Sequence, residues 1–211
     1  QVRRELKPIS SGRFVVHGSH DKGSISINRV GLKIDAAMAF GTGHHSSTLG
    51  CIKALTNILK FGFKTRNIAD IGCGTGILAM AAAKSGALRV TACDIDVVAV
   101  QTARINLREN GISTKTLVFR SNGFNNFNFN YRGKFDLIFL NILARPLTRM
   151  AKDVYRYCRE NGLVVLSGLL LSQLVMVERY YFSVGFRRMH TVSIGDWVTI
   201  VMQKKVSRRR I

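Results

Sequence analysis

The residues of this chain best suited to chemistry are glycines placed between acidic side chains. Residues 70–76 read Asp-Ile-Gly-Cys-Gly-Thr-Gly, after an apolar stretch over 67–71 and before an Ala-rich stretch over 77–85. These flanks predict a buried strand and a helix, so the glycines occupy the strand-to-helix turn where doubly wound sheets bind ligands. Glycine lets the backbone adopt positive φ there and lets a ligand approach without meeting a Cβ atom.

A second acidic position follows at the spacing that a ribose requires. The next predicted strand ends at Asp94, about 20 residues after the glycines, where a carboxylate can accept both ribose hydroxyls. A nicotinamide or flavin site needs G-x-G-x-x-G, but here the third glycine, Gly76, comes one residue too early. Gly72, Gly74 and Gly76, preceded by Asp70, instead favour a smaller adenosine cofactor that carries positive charge, S-adenosylmethionine. The alternative is a turn that serves strand–helix packing alone, and Asp94 argues against it.

The apolar periodicity of the chain predicts an α/β fold. Strands are expected over 67–71, 89–94, 116–120, 135–141, 163–167, 186–192 and 197–203, and helices over 46–60, 76–85, 97–110, 146–158 and 172–184. Such alternation forms a doubly wound, mostly parallel sheet, here of seven strands, and the last two strands form an antiparallel edge hairpin. Residues 121–130, which are rich in Asn, predict a surface loop.

The organisation along the chain predicts one large domain after a small β-rich lead-in. Short strands are expected over 14–16 and 25–27, with glycines between them. We therefore divide the chain into a linker and lead-in over 1–35, a cofactor-binding domain over 36–204 and a basic tail over 205–211.

Composition excludes several classes of protein. The formal net charge is +20, from 32 Lys and Arg against 12 Asp and Glu. This charge favours a polyanionic partner such as RNA or a ribosome, although a solvated face or a generally basic proteome explains it equally well.

The four cysteines contain no C-x-x-C pair, and the adjacent His44 and His45 cannot face one point from a regular helix, so no metal site is predicted. Neither a signal peptide nor a membrane span is predicted, and we expect a cytoplasmic protein.

Three further strings carry a family resemblance. Residues 39–48 read AFGTGHHSST, residues 141–147 read NILARPL, and residues 166–170 read LSGLL. Together with the glycine turn, they resemble the ribosomal protein L11 methyltransferase (PrmA) family of class I S-adenosylmethionine-dependent enzymes. The resemblance implies transfer of methyl groups to lysine ε-amines and an amino-terminal α-amine of a large-subunit ribosomal protein. The other product is S-adenosylhomocysteine.

The resemblance also implies roles for individual residues. Thr48, Gly72, Asp94 and Asn141 match the positions that contact the cofactor in this family. Asn141 ends a predicted strand, and we expect its amide to position the amine acceptor as the catalytic contribution of this residue. Considered without the resemblance, Asn141 is explained equally well as a cap or turn residue before Pro146.

Residues 40–44 are expected to form a lid or substrate loop. Its members are Phe40, Gly41, Thr42, Gly43 and His44, and the glycines would supply the hinge. A tight turn before the following helix is the alternative. Phe40, Ile142 and Leu143 are expected to line a dry pocket, which lowers the pKa of a lysine acceptor and favours its neutral, nucleophilic form. Methyl transfer needs alignment more than a strong base, so no catalytic base is assigned.

The chain departs from the family pattern in three ways, and one of them is that residues 46–48 read Ser-Ser-Thr where Pro-Thr-Thr is usual. Residues 35–37 read Asp-Ala-Ala where Asp-Pro-Gly is usual, which changes the stiffness of the loop. Nothing corresponds to the small amino-terminal domain that docks the ribosomal protein in the family, and we expect that this domain was trimmed. The expected partners are a ribosomal protein and, through the basic charge, a ribosome or RNA surface. We expect a monomer that does not bind membranes.

A nucleic-acid methyltransferase is the main alternative, because it shares the cofactor fold and suits the charge. Enzymes that methylate a base amine generally place two prolines and an aromatic residue after the Asn or Asp of the fourth strand, to stack the flipped base. Here Asn141 is followed by Ile-Leu-Ala, which argues against this alternative. A non-catalytic binding module is a second alternative, and the intact glycine turn argues against it.

Overall fold

The computed structural model describes residues 8–19, 26–34 and 46–206. Its strands are β1 (Ile9–Ser11), β2 (Phe14–His17), β3 (Val30–Lys33), β4 (Asn67–Ile71), β5 (Arg89–Asp94), β6 (Thr116–Arg120), β7 (Phe135–Asn141), β8 (Cys158–Leu170), β9 (Phe186–Ile194) and β10 (Trp197–Lys204). Its α-helices are α1 (Ser46–Lys60), α2 (Ile77–Lys84), α3 (Val97–Glu109), α4 (Asn128–Arg132), α5 (Ala144–Tyr157) and α6 (Leu174–Ser183).

Seven strands form the main sheet, in the order β6-β5-β4-β7-β8-β10-β9. Strands β4 to β8 run parallel to one another, whereas β10 is antiparallel to both β8 and β9. The chain moves outward from β4 to β6 and then returns to place β7 on the other side of β4. The carboxyl ends of β4 and β7 therefore flank the point of reversal, where sheets of this kind bind ligands.

Helices cover both faces of the sheet, which explains why the central strands are apolar on both sides. One buried cluster joins the sheet to α1, α2 and α3 through side chains that include Leu55, Met80 and Leu107. A second cluster on the opposite face joins it to α5 and α6 through Leu147 and Tyr181. The predicted seven-stranded α/β fold with an antiparallel edge hairpin is confirmed.

The lead-in strands form a separate three-stranded sheet that is attached to the main domain. β1 and β2 pair antiparallel, and β2 and β3 pair parallel. Phe14 of β2 belongs to the same apolar cluster as α1 and α2. Lys84 Nζ donates a hydrogen bond to the Gly31 carbonyl at 2.6 Å, and Asn110 bonds both the N–H and the C=O of Lys33. These contacts hold β3 against the ends of α2 and α3.

Several predicted boundaries differ from the observed ones. The strand expected over 25–27 is wrong in its described part, because Arg29 N donates to Ser26 O at 2.9 Å, which closes a turn, and Ile27 is 97% exposed. The loop expected over 121–130 runs into α4, because Phe129 is buried among other rings. Strand β8 is longer than 163–167 at both ends, since β7 and β10 pair with its extensions. The division at residue 35 and most of the tail over 205–211 lie outside the described residues.

None of the described helices combines the length and the apolar content that are needed to cross a membrane.

Candidate functional site

The glycine turn lies at the carboxyl end of β4, as the sequence predicts. Gly72, Gly74 and Gly76 have φ values of +75°, +52° and +80°. The Gly72 N–H donates to the Cys93 carbonyl at 2.8 Å, which ties the turn to the end of β5. A Cβ atom on Gly72 would overlap the Cγ2 atom of Ile142, so glycine is required there by close packing as well as by φ. The turn is a closely packed cradle made of backbone.

Asp94 is held directly beside this turn. Its Oδ2 accepts a hydrogen bond from Gly74 N at 2.9 Å, and its Oδ1 accepts one from Asp96 N at 3.0 Å. A carboxylate offers about four lone-pair sites, so each oxygen can accept a further bond from a ligand hydroxyl. The side chain is only partly buried. Two fixed acceptors beside a glycine cradle match a ligand with neighbouring hydroxyl groups.

Asp70 is the second carboxylate of the site, and it is buried at the end of β4. Its Oδ2 accepts from Ala79 N in the first turn of α2 at 2.9 Å. Among the described residues, Oδ1 has no hydrogen-bond partner. Burial raises the pKa of Asp70 to about 7, against the lowering effect of the Ala79 N–H, and the nearby charge of Asp94 raises the pKa further. A positively charged ligand stabilises a buried carboxylate that has an unpaired oxygen. Asp70 and Asp94 together therefore fit a cationic adenosine cofactor.

Thr48 and Asn141 meet at the reversal point of the sheet. Asn141 Nδ2, at the end of β7, donates to Thr48 Oγ1 in the first turn of α1 at 3.2 Å. Thr48 is buried and Asn141 is half-buried. Only the family resemblance assigned Thr48 and Asn141 to the same site, and the structure places them in direct contact. Because the bond uses Nδ2, the Oδ1 atom is the acceptor that the Asn141 amide presents to a ligand.

A small buried polar cluster, which we name the hydroxyl junction, fixes α1 above this edge of the sheet. It consists of the Ser167 and Thr199 hydroxyl groups and the backbone carbonyl of Ser47. Ser167 Oγ donates to the Ser47 carbonyl at 3.1 Å and lies 2.6 Å from Thr199 Oγ1. Sequence reasoning missed this junction, although a serine in an apolar strand followed by glycine, and a threonine between Val198 and Ile200, are signals of buried hydroxyl pairs.

Ile142 lies between the glycine turn and β8. It packs over Gly72, and its backbone carbonyl faces Gly168, where an added Cβ atom would come within 2.5 Å of Ile142 O. The following residue, Leu143, is 73% exposed. The acceptor pocket expected from Ile142 and Leu143 stays a prediction. Phe40 lies outside the described residues.

The predicted lid also lies outside the described residues. Its members are Phe40, Gly41, Thr42, Gly43 and His44. Their role stays a prediction.

Two thiols border the site. Cys73 belongs to the glycine turn, and Cys93 ends the buried part of β5. Burial raises the pKa of Cys93 to about 12 and raises that of Cys73 well above its usual value. Both thiols therefore stay protonated and do not serve as nucleophiles near neutral pH.

Comparison with known proteins agrees with the geometry. A family model described as "Ribosomal protein L11 methyltransferase (PrmA)" matches residues 1–205. Proteins of that name from Rhizobium rhizogenes and Agrobacterium fabrum are each 41% identical over 199 residues, which cover 94% of this chain and 68% of the relative. The chain thus spans about two thirds of the length of these relatives.

Solved structures show the same relationship. A ribosomal protein L11 methylase from Lactobacillus delbrueckii subsp. bulgaricus superposes with a TM-score of 0.82 at 28% identity, and the match covers 95% of this chain and 100% of that one. A methyltransferase from Pyrococcus furiosus has a TM-score of 0.60 at 19% identity, with 77% and 87% covered, which shows likeness of fold alone. On these findings the chain belongs to the ribosomal protein L11 methyltransferase (PrmA) family.

Proposed function

We propose that this protein transfers methyl groups from S-adenosylmethionine to lysine ε-amines and the amino-terminal α-amine of ribosomal protein L11. The observation that carries the proposal is the pair of carboxylates, Asp70 and Asp94, on either side of the Gly72–Gly76 turn. One carboxylate offers fixed acceptors for hydroxyl groups, and the other is a buried site that favours positive charge. Membership of the family supports the acceptor.

Each residue assigned to the cofactor site would hold a different part of the cofactor. Asp94 accepts the ribose hydroxyls, and Asp70 stabilises the positive charge. The turn residues Gly72, Gly74 and Gly76 allow close approach, and Thr48 with Asn141 closes the opposite side. When bound, S-adenosylmethionine supplies a methyl carbon that is already activated by a sulfonium.

Asn141 is proposed to position the acceptor amine. Its Nδ2 is fixed by Thr48, so its Oδ1 can accept an N–H bond from the incoming nitrogen. The apolar surfaces of Ile142 and Leu143, with Phe40 from the proposed lid, would disfavour the charged form of that amine. The chain then acts by orientation and by exclusion of water, without a dedicated general base.

The finer features of the partner complex are also proposals. We infer that the protein acts as a monomer in the cytoplasm. The net charge of +20 supports attraction to a ribosomal or RNA surface, because a strongly basic field raises the local concentration of polyanions. The additional length of the relatives supports a separate docking region for the ribosomal protein.

The alternative function is a nucleic-acid methyltransferase. One experiment distinguishes the two by showing whether protein or RNA accepts the methyl group. Radiolabelled S-adenosylmethionine is incubated with the protein and, in separate reactions, ribosomal protein L11 or ribosomal RNA. We expect label in the ribosomal protein, and no label with an Asp94→Ala variant. Label in RNA but not in protein would contradict the proposal. Calorimetric titration with S-adenosylmethionine tests the cofactor assignment separately, because this measurement needs no acceptor.

A further inference from the structure

The outer face of α5 carries a row of positive charges. Its cations recur at intervals of four, three and four residues, which places them on one side of the helix. We name this set the α5 row: Arg145, Arg149, Lys152 and Arg156. All four are exposed, whereas Leu147, Ala151 and Val154 on the other side are buried in the core. The row extends for about 16 Å along the helix, from the reversal point of the sheet to the far end of α5.

The charges of the α5 row are not neutralised. Within residues 8–19, 26–34 and 46–206, no carboxylate forms an ion pair with any of the four. Other arginines of the same region are paired: Arg159 lies 2.8 Å from Asp136, and Arg188 lies 3.0 Å from Glu178. Asp153, the acidic residue of α5, lies four residues after Arg149 and three before Arg156, but in the described part of the chain it forms no ion pair with either. Four unpaired cations in a row have the spacing and charge of a surface that binds a polyanion.

A polar cavity of about 750 Å³ opens beside the far end of the α5 row. It lies between α5 and the segment that connects β6 to β7, which contains α4. Its lining includes the acidic residue Asp153 together with Asn126, Asn130, Phe127, Arg156 and Tyr157. This volume falls in the range of cavities that bind small molecules, and it is large enough for a nucleobase.

The groups around the cavity are arranged for recognition. The Tyr157 hydroxyl donates to Asn130 Oδ1 at 3.3 Å, which leaves Asn130 Nδ2 to donate to a ligand. Asn126 Nδ2 fixes the loop by donating to Arg120 O at 3.1 Å. Phe127, which is 67% exposed, and Tyr131, which is 82% exposed, meet edge to face at the rim. Amides can read base edges, and exposed rings can stack on bases.

We propose that this face binds single-stranded RNA, with phosphates along the α5 row and an unstacked base in the Asn-lined cavity. Arginine binds phosphate oxygens with two parallel N–H bonds, and aromatic rings stack on any base. The proposal deepens the RNA-surface part of the proposed function and rests on it, but it requires neither methyl donor nor ribosomal protein.

A membrane surface is the rival for a basic face, and the structure favours RNA over it. A helix that lies in a bilayer presents its apolar side to lipid, but the apolar side of α5 is buried in the protein core. The exposed rings also border amide side chains rather than a continuous apolar patch.

The first experiment removes three charges of the α5 row. Fluorescence anisotropy measures binding of a labelled single-stranded RNA of about 12 nucleotides to wild type and to the triple variant Arg149→Gln, Lys152→Gln and Arg156→Gln. We expect affinity to fall about 30-fold and the slope of log K against log salt to decrease by about 2, since each lost phosphate contact removes about 0.7. Arg145 is left intact because it is close to Asn141.

A matched control removes the same charge from the opposite face. The variant Lys53→Gln, Lys60→Gln and Arg108→Gln changes three exposed cations on α1 and α3, the helices that cover the other face of the sheet. We expect it to change RNA affinity by less than about threefold. An equal loss in both triple variants would overturn the proposal, because net charge alone would then explain binding. If the α5 triple does not fold, Arg149→Gln alone should still weaken binding about threefold, and no loss would overturn the proposal.

The second experiment tests the cavity. Replacing the exposed ring in Phe127→Ala should weaken RNA binding about tenfold, because base stacking contributes about 1–3 kcal/mol. The control Phe61→Ala removes an equally exposed ring, 76% exposed, at the end of α1, and should have no effect. Equal effects of the two substitutions would contradict a base site in the cavity.

The third experiment separates RNA from lipid and from methyl transfer. The protein is centrifuged with phosphatidylserine vesicles. If it sediments with the vesicles and binds no RNA, the proposal is overturned in favour of a membrane surface. Calorimetric titration of the α5 triple with S-adenosylmethionine should give the wild-type affinity. Loss of RNA binding with intact cofactor binding supports the RNA face, whatever the outcome of the acceptor experiment.

Discussion

The glycine turn and the hydroxyl junction position the same site by opposite means. The turn uses backbone N–H groups and two carboxylates from neighbouring strands, within residues 70–96. The junction uses uncharged side chains, and its first bond joins Ser167 to Ser47 across 120 residues of sequence. The two carboxylates and the glycines suited to the cofactor are therefore close together in the chain, whereas the placement of Thr48 against Asn141 depends on contacts between distant segments.

Removing the carboxylate of the turn should have the largest effect. In Asp94→Ala, the Gly74 N–H loses its acceptor and the proposed acceptors of the ribose hydroxyls are removed, so affinity for S-adenosylmethionine should fall at least about 100-fold. Isothermal titration calorimetry provides the measurement.

Asp96 supplies the matched control for this prediction. Its Oδ1 accepts from Val98 N and caps α3, a bond that Asn makes equally well. Asp96→Asn should therefore keep the wild-type affinity. Micromolar affinity retained in Asp94→Ala would show that the ribose is held elsewhere.

The close contact between Gly168 and Ile142 connects the two regions, and breaking it should have the next largest effect. Gly168 has φ +77°, and an added Cβ atom would lie 2.5 Å from Ile142 O. Gly168→Ala therefore combines a left-handed conformation with displacement of backbone, and the free energy of unfolding should fall by about 3 kcal/mol or more. Urea denaturation followed by circular dichroism measures the change.

Gly195 separates the two contributions. It also has positive φ, at +57°, but apart from its own atoms and those of its two chain neighbours, no heavy atom of the described residues lies within 4 Å of its Cβ position. Gly195→Ala should lower stability by about 1 kcal/mol, from conformation alone. Equal effects at the two positions would show that Ile142 moves without cost.

The buried carboxyl of the turn predicts a pH dependence of stability that the uncharged junction lacks. The pKa of Asp70 is raised from 3.8 to about 7 in the folded protein. Between about pH 4 and pH 7 the folded state therefore holds a proton that the unfolded state has lost, so stability falls as pH rises, by at most about 1.4 kcal/mol per pH unit. The difference in unfolding free energy between wild type and Asp70→Asn, measured across this range, isolates the effect.

The same carboxyl should make cofactor binding depend on pH in the opposite direction. A cationic ligand favours ionised Asp70, so affinity should fall about tenfold per pH unit below pH 7 and level off above about pH 8. Asp70→Asn still accepts the Ala79 N–H bond through its amide oxygen, and it should bind with lower but pH-independent affinity. A wild-type affinity that is flat between pH 5 and pH 8 would place the ligand charge away from Asp70.

The smallest effect is expected within the hydroxyl junction. Ser167→Ala and Thr199→Val should each lower stability by about 1–2 kcal/mol, because each leaves a buried polar partner unsatisfied. The double variant should cost less than the sum, with a coupling of about 1 kcal/mol in thermal or urea denaturation.

Thr91 offers a control for the junction. It is as deeply buried as Thr199, but its hydroxyl has no hydrogen-bond partner among the described residues. Thr91→Val should be neutral or stabilising, since it removes an unsatisfied polar group. Additive effects of Ser167→Ala and Thr199→Val, or an equal loss in Thr91→Val, would show that the junction contributes no specific bond.

The sequence predicted the turn and most of the sheet for the same physical reason. Strands such as β4 and β5 are short apolar runs bounded by glycine or acidic residues, so their bounds can be determined from local pattern. The strand predicted over 25–27 is wrong in its described part, residues 26 and 27, where Ile27 is an exposed turn residue, because a local apolar pair does not reveal whether a partner strand exists. The cofactor roles of Asp70, Asp94 and Asn141 stay predictions until the titrations above are made.

The contacts that the sequence did not predict are those that depend on tertiary placement. Helix α4 forms in an Asn-rich segment because Phe129 packs against Phe119, Phe124 and Phe135, which overrides the weak helix propensity of asparagine. The Ser167–Thr199 pair requires that β10 lie beside β8, a pairing order that no local pattern encodes.

The position of β10 in the sheet has a consequence for synthesis of the protein. A chain emerges from its amino terminus, so β4, α2 and β5 are complete while Thr199 has still to be polymerised. At that stage the Ser167 hydroxyl, which bonds the Ser47 carbonyl in the first turn of α1, has no Thr199 hydroxyl to contact. A nascent chain halted before Thr199 would carry a formed glycine turn but an incompletely anchored Thr48. We expect such a halted chain to bind S-adenosylmethionine less tightly than a chain that contains β10.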